Sequence, residues 1–523
     1  MERVFEKEKR RRTLATILLI ALLFAMMFVP IKTMYFSNQN TKLKILGTHP
    51  ADSSPTISPI KEYNIPQNQS YPIGLVTDSK GNVWFGEAGT DNIEEFIPSN
   101  QTFRSFHIPI SPQLAWVWTP VFDSSGNLWF TTTNGTDIWK LDPSTGQFTA
   151  FSTDSPNTDP YALAYDSATN QIWFTSFISN QFGAFQLTSG GGSATVVKLY
   201  NLPFKPSAIL PTAGAGAIAL DGNGNVYVSE AFLAQIAKFN ESTGQLEKNW
   251  TLPHGSNPLG IAVDPKTNNV WFTNHATDFF GFVNQTSNAI MQYSTSPFFY
   301  NGYPETSLPY WVYISSSGMV WFNEHIGNRI ARFDPNTTTL TEFTVPTPNS
   351  EPIKLTLDNQ RGLVWFSEFT GNKIGMLEQN QSLIPELSMS ENSLNLTGSS
   401  VSFKVNVTSQ SLLPLNVSST SSVLGVTDNN FTISSQNLSN TQVSIRIGRG
   451  NDLSPGTYHL TFCSNNALPV DSCAIALITV EPLQTNTITL QTNYVDIAIA
   501  IVLVVIAFAM SMYFVTRWRS RVR

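Results

Sequence analysis

Short runs of alternating apolar and polar residues, separated by Gly, Asn, Asp and Pro, fill the middle of this 523-residue chain. Such a period-two pattern belongs to half-buried strands joined by tight turns. The runs come in sets of four. One opens with Pro and ends in Asp, as in PYALAYD (Pro160 to Asp166), PLGIAVD (Pro258 to Asp264) and PIKLTLD (Pro352 to Asp358). A turn such as SGN, GNGN or KTNN follows, then a run carrying Trp-Phe. A third run reads NRIARFDP at Asn328 to Pro335, and a fourth reads TEFTVP at Thr341 to Pro346. The anchors of the second run are Trp84, Trp129, Trp173, Tyr227, Trp271, Trp321 and Trp365, spaced 44 to 54 residues apart. That is the period of a four-stranded propeller blade and too long for leucine-rich, ankyrin or TPR units. Seven anchors predict seven blades. An aromatic at one place in every blade is expected to fill the space between splayed sheets rather than to stack on a ligand.

Closure is legible too. IKEYNIP, Ile60 to Pro66, has the pattern of a fourth strand with no unit of its own, and the last blade lacks a fourth strand. Pairing the two closes the ring without exposed edges, so the expected propeller covers 58–382. From 385 to 482 the grammar stops and Trp is absent. Runs such as VSFKVNV at Val401, TQVSIRI at Thr441, GTYHLTF at Gly456 and CAIALITV at Cys473 predict a second all-β domain, an immunoglobulin-like β-sandwich without the Cys-Trp-Cys arrangement of antibody domains. Cys463 and Cys473, the two cysteines, flank a short polar loop and are expected to staple a hairpin in an oxidising compartment.

Both ends are apolar. LATILLIALLFAMMFVPI, Leu14 to Ile31, follows a basic cluster and precedes no small-x-small cleavage site, so 1–36 reads as a cytoplasmic tail and signal anchor. The segment 494–515 is long enough for a second transmembrane helix, and the tail 516–523 carries Arg517, Arg519, Arg521 and Arg523. Basic flanks mark the cytoplasmic side. A double-pass cell-membrane protein is expected, with both termini cytoplasmic and the bulk extracellular. Asp496, near the outer end of the second span, reads as an interfacial residue. Thirteen Asn-x-Ser/Thr sequons from Asn68 to Asn437 suit a surface glycoprotein. The net charge of -7, with no basic stretch between the ends, excludes nucleic acid as a partner.

Candidate chemistry lies three residues past each anchor, at Glu87, Thr132, Ser176, Glu230, Asn274, Glu324 and Glu368, followed by His275 and His325 in two blades. If these positions share one mouth of the channel, Glu87, Glu230, Asn274, Glu324 and Glu368 are metal-ligand candidates whose oxygens suit Mg²⁺ or Ca²⁺. Crowded carboxyls there also suit acid/base work, with Glu324, Glu368, His325 and His275 as the catalytic candidates. The competing reading is that these residues cap strand ends by bonding backbone amides. His107, His254 and His459 lack acidic neighbours at useful spacing, and no phosphate loop, His-Glu-x-x-His or nucleophile elbow occurs. Two units are longer than the rest. One insertion holds Gly190 to Gly192, and the other, Ser296 to Trp311, is dense in Phe, Tyr and Pro. Its aromatics suit either a contact surface for sugars or proteins, or a plug folded onto the propeller.

Units such as GMVWFNEHIGNRIARFDPNTTTLTEFTVPTP (Gly318 to Pro348) and GLVWFSEFTGNKIGML (Gly362 to Leu377) resemble the blades of virginiamycin B lyase, the streptogramin lyase, over roughly 58 to 380. The resemblance implies a seven-bladed propeller. It also implies an activity that opens a cyclic depsipeptide by elimination with a magnesium ion, using a catalytic His directly after the Pro that opens a late blade. Here the matching pairs are Pro309-Tyr310 and Pro352-Ile353, with Pro72-Ile73, Pro160-Tyr161 and Pro258-Leu259 in earlier blades, and none has His. Glu324 and Glu368 do match the family's inner-rim glutamates. Two readings follow: a membrane-anchored propeller that binds an extracellular glycan, peptide or protein, and a metal-assisted lyase or hydrolase using the Glu-rich mouth.

Overall fold

The computed structural model describes residues 58–480 apart from short loop segments. Residues 1–57 and 481–523, with both expected membrane spans and Asp496, lie outside the described residues. Among the described residues, no helix is long and apolar enough to cross a membrane.

Seven four-stranded antiparallel sheets form a closed ring, the innermost strand of each packing on those of the blades before and after it. Blade 1 runs from Pro72 to His107, blade 2 from Val117 to Ser152, blade 3 from Pro160 to Asn201 and blade 4 from Ala215 to Thr251. Blade 5 covers Pro258 to Ser294, and blade 6 covers Pro309 to Thr344. Blade 7 takes three strands from Pro352 to Glu378 and borrows its fourth, Lys61–Asn64, from the N-terminal side, antiparallel to Lys373–Met376. The ring is closed as the sequence predicts. A Glu62–Lys373 ion pair at 2.6 Å reinforces the seam.

The Asp that ends the first strand explains why the turn and the anchor travel together. In blade 2, one carboxylate oxygen of Asp123 accepts the backbone N–H groups of Ser125 and Asn127, both at 2.9 Å. Its other oxygen accepts the indole N–H of Trp129 at 2.8 Å. Asp78 repeats this with Lys80, Asn82 and Trp84. In blade 4, Asp221 holds the turn at Asn223 and Asn225 while the Tyr227 hydroxyl donates in place of the indole. One side chain therefore closes the turn and satisfies the polar atom of a buried aromatic. All seven anchors are buried at the blade interfaces, each fully buried apolar side chain contributing about 1.5–3 kcal/mol.

The aromatic insertion forms an element of its own. Phe298–Tyr300 and Tyr303–Glu305 pair as a separate two-stranded hairpin. Its stem is fixed: Ser296 N–H donates to Glu342 at 2.8 Å, Ser307 N–H donates to Asp278 at 2.6 Å, and Arg329 donates to the Ser296 carbonyl at 3.2 Å. The residues that follow, Tyr310 and Trp311, enter the channel.

Beyond the propeller, Glu386–Met389, Ser400–Thr408 and Thr441–Gly448 form one sheet. Leu415–Ser421, Phe431–Ile433, Gly456–Ser464 and Val470–Val480 form another set, with Ser393–Leu396 parallel to the last strand. Val470–Val480 also pairs with Thr339–Thr344, the outer strand of blade 6, in the register Leu340↔Cys473. These strands thus continue the sheet of blade 6, covering its edge. Cys473 and Ile475 are buried with Phe280, Phe333 and Leu340 of blades 5 and 6. Cys463 and Cys473 stand opposite each other in register, and Cys473 is disulfide-bonded.

Candidate functional site

All seven blades have a register shift just after the residue that opens the first strand, as between Pro160 and Leu163 or Pro309 and Val312. A bulge re-aims the side chains that follow it. In six blades those side chains are Ile73, Trp118, Tyr161, Leu259, Tyr310 and Ile353, all buried in one apolar cluster at the centre of the ring. The hydroxyls of Tyr161 and Tyr310, from blades 3 and 6, meet at 2.5 Å. Trp311 stacks near Tyr161 with ring centroids 6.0 Å apart, and Lys354 Nζ lies 3.2 Å from the Trp311 ring centroid while donating to Thr119 Oγ1 at 3.2 Å. The channel is packed at this level. Burial pushes both tyrosine hydroxyls above their ordinary range and holds the Lys354 ammonium well below its own.

A second repeated bond builds the mouth. In six blades the residue four past the anchor donates its N–H to the carbonyl just before the opening of the first strand: Ala88 to Tyr71, Phe177 to Asp159, Ala231 to Gly214, His275 to Asn257, His325 to Leu308 and Phe369 to Glu351. The positions three past the anchors therefore come round to one face, as their spacing implies, opposite the first-strand openings in the pairs Pro72↔Glu87, Pro309↔Glu324 and Pro352↔Glu368.

Each of those side chains is buried, and one carboxylate oxygen each of Glu87, Glu230 and Glu324 has no hydrogen-bond partner among the described residues. Glu87 accepts from Thr90 and, at 3.4 Å, from Asn92. Asn274 accepts from Asn257 N–H at 2.5 Å and donates to Ser256 at 2.9 Å. Ser176 bonds Ser179. Glu324 receives the Arg329 guanidinium at 2.9 and 2.5 Å, and the same cation reaches Glu342 at 3.3 Å. Glu230 and Glu368 are buried with little hydrogen-bonded compensation. Burial pushes Glu230 up to about 7 and Glu368 up to about 8, with Glu62 adding to the latter. Among the described residues, no three His, Cys, Asp or Glu side chains are grouped so as to hold a metal ion. Glu87, Glu230, Asn274, Glu324 and Glu368, the expected metal ligands, stand one to a blade at the ends of the second strands.

Of the four catalytic candidates, the two histidines do meet. His275 Nε2 is 3.3 Å from His325 Nδ1, the rings are nearly parallel, and His325 Nε2 faces Glu351 Oε2 at 3.9 Å. The Tyr310 ring lies 4.4 Å from that of His275. Burial lowers His275 well below the usual histidine range, with His325 adding to it, and brings His325 to about 4. Both imidazoles are neutral at pH 7. Trp311, Lys354 and Glu351 are not singled out by sequence, and Tyr161 enters there only as a residue after an opening Pro. The signal that finds them is the strand-opening position itself, compared blade by blade.

Fold and site together define a seven-bladed β-propeller whose channel is filled by apolar side chains at the level of the strand openings. The family model for virginiamycin B lyase matches residues 58–211 and 206–394, and the chain belongs to that family. The solved virginiamycin B lyase from Staphylococcus aureus is 22% identical, with a TM-score of 0.51, over 61% of this chain and 98% of that one. A catalytically inactive variant of it, determined with quinupristin, gives 21% and 0.52 over the same shares. A streptogramin B lyase structure gives 25% and 0.51 over 61% and 96%. No curated protein matches the chain.

Proposed function

We propose that this protein is a membrane-anchored, extracytoplasmic member of the family that binds a glycan, peptide or protein at the mouth of the propeller and does not open cyclic depsipeptides. The observation that carries this reading is the packed layer of Ile73, Trp118, Tyr161, Leu259, Tyr310 and Ile353. It occupies the strand openings, where the resemblance calls for a histidine. The rim glutamates stand one to a blade, and among the described residues no three His, Cys, Asp or Glu side chains are grouped so as to hold a metal ion, which favours a binding role over a metal-assisted one.

Anchoring rests on the two apolar segments and their basic flanks. Exposure of Asn68, Asn100, Asn249, Asn336, Asn380 and Asn395 suits glycosylation of an extracellular surface. The C-terminal strands, which we infer to be an immunoglobulin-like sandwich, are held to blade 6 by strand pairing and so act as a fixed extension rather than a loose spacer.

The metal-assisted lyase or hydrolase reading is tested by equilibrium dialysis of the full-length chain with Mg²⁺ or Ca²⁺. Replacing Glu324 and Glu368 together by Gln is expected to leave any binding unchanged. Loss of a stoichiometric ion in the double variant would restore the enzyme reading.

A further inference from the structure

Aromatic rings run in unbroken contact from the surface of the mouth down to the packed channel. Tyr71, the residue before the opening of blade 1, is 36% exposed, and its ring centroid is 5.2 Å from that of Phe369 on blade 7. Phe369 lies 6.1 Å from Trp116, Trp116 lies 6.2 Å from Trp118, and Trp118 lies 5.2 Å from Tyr161. Phe369 and Trp116 are half-buried, and Trp118 and Tyr161 are buried. Successive rings are tilted by 40° to 60° along this path. Rings that touch one another in series make a strip. An enclosure for a single cation needs rings facing one common point instead.

A hydrogen-bonding group shares the rim with the strip and is tied to it through the backbone of Phe369. Glu351 precedes the opening of blade 7, its carbonyl accepts the Phe369 N–H at 3.2 Å, and its carboxyl is one-third exposed and backed by His325 at 3.9 Å. Burial raises that carboxyl, and the imidazole behind it is neutral. The charged group next to the strip is an acid, so an anionic ligand is repelled there. A bound peptide strand needs an open sheet edge to pair with, and the mouth offers turns and strand openings rather than edges. Flat apolar rings beside a hydroxyl-reading carboxyl match a ligand with apolar C–H faces and many hydroxyls.

We propose that the mouth binds a neutral oligosaccharide, with sugar rings stacked along Tyr71, Phe369 and Trp116 and hydroxyls bonded to Glu351. The proposal rests on the binding function proposed above and names its ligand class.

Full-length chain in detergent micelles would be titrated calorimetrically with a panel of neutral gluco-, manno- and galacto-oligosaccharides, with Trp fluorescence followed in parallel. A member of the panel is expected to bind. Tyr71→Ala and Glu351→Gln should each weaken it about 10-fold or more, the scale of one lost stacking or charge-assisted contact. Val197→Ala, at an apolar residue exposed on the outer strand of blade 3, should leave affinity unchanged. Melting curves check that the variants stay folded, as the exposure of Tyr71 requires. No binding by any member at millimolar concentration overturns the proposal, as does binding that neither Tyr71→Ala nor Glu351→Gln weakens. A peptide ligand displaced by those same variants would also overturn it while leaving the binding function standing. Opening of a cyclic depsipeptide would remove that function itself.

Discussion

Asp123 shows how much of a blade one residue specifies. It closes the turn into the second strand through two backbone N–H groups and holds the indole of the adjacent anchor. Asp123→Ala leaves a buried indole N–H without its acceptor and the turn without its clamp, a loss of about 1–3 kcal/mol. A urea titration should show the midpoint fall at unchanged slope; an unchanged midpoint would mean the turn holds itself. The buried carboxyls carry a pH signature. Burial raises Glu94 and Glu230 to about 7 and Glu368 to about 8, whereas in an unfolded chain a glutamate titrates near about 4.3. The folded state therefore keeps protons that the unfolded state releases. The stability this contributes is full below the unfolded value and is lost as pH rises through about 7 to 8. Melting temperature should decline from about pH 5 to about pH 9, and Glu368→Gln should flatten the decline. A profile identical in that variant would show that Glu368 is ionised in the fold.

Among elements, the strand openings and the last strand matter most. The bulge at each opening turns the next residue into the channel, so seven short positions, scattered across the sequence, decide whether the centre is a pocket or a packed layer. Blade grammar was legible because turn Asp, anchor Trp and Pro recur at fixed offsets. The docking of Val470–Val480 on blade 6 was not, since an edge strand of an alternating run looks the same whichever partner it takes. Ile475 is buried against Phe333 and Leu340 there. Ile475→Asp places an unpaired charge in that seam and should split one cooperative melting transition into two by calorimetry. A single transition at the original temperature would show that the C-terminal strands do not share the stability of the propeller.

At the scale of the molecule, sequence alone discloses a closed seven-bladed ring and its family, because repetition averages out local ambiguity. It also brings His275 and His325 into view as neighbours in consecutive blades. It places Glu87, Glu230, Glu324 and Glu368 at one common position around the ring, but spacing does not encode how deeply each is buried, and that burial is what pushes Glu230 and Glu368 up. Tyr161 and Tyr310, whose hydroxyls meet across 149 positions of sequence, join blades 3 and 6, a contact no local pattern encodes. The packed channel is expected to have abandoned the elimination chemistry implied by the family resemblance. The direct measurement is mass spectrometry of a cyclic streptogramin B depsipeptide incubated with the full-length chain and Mg²⁺. The ring is expected to stay closed at every time point. A linear product that forms only with Mg²⁺ and disappears in His325→Ala would contradict the account.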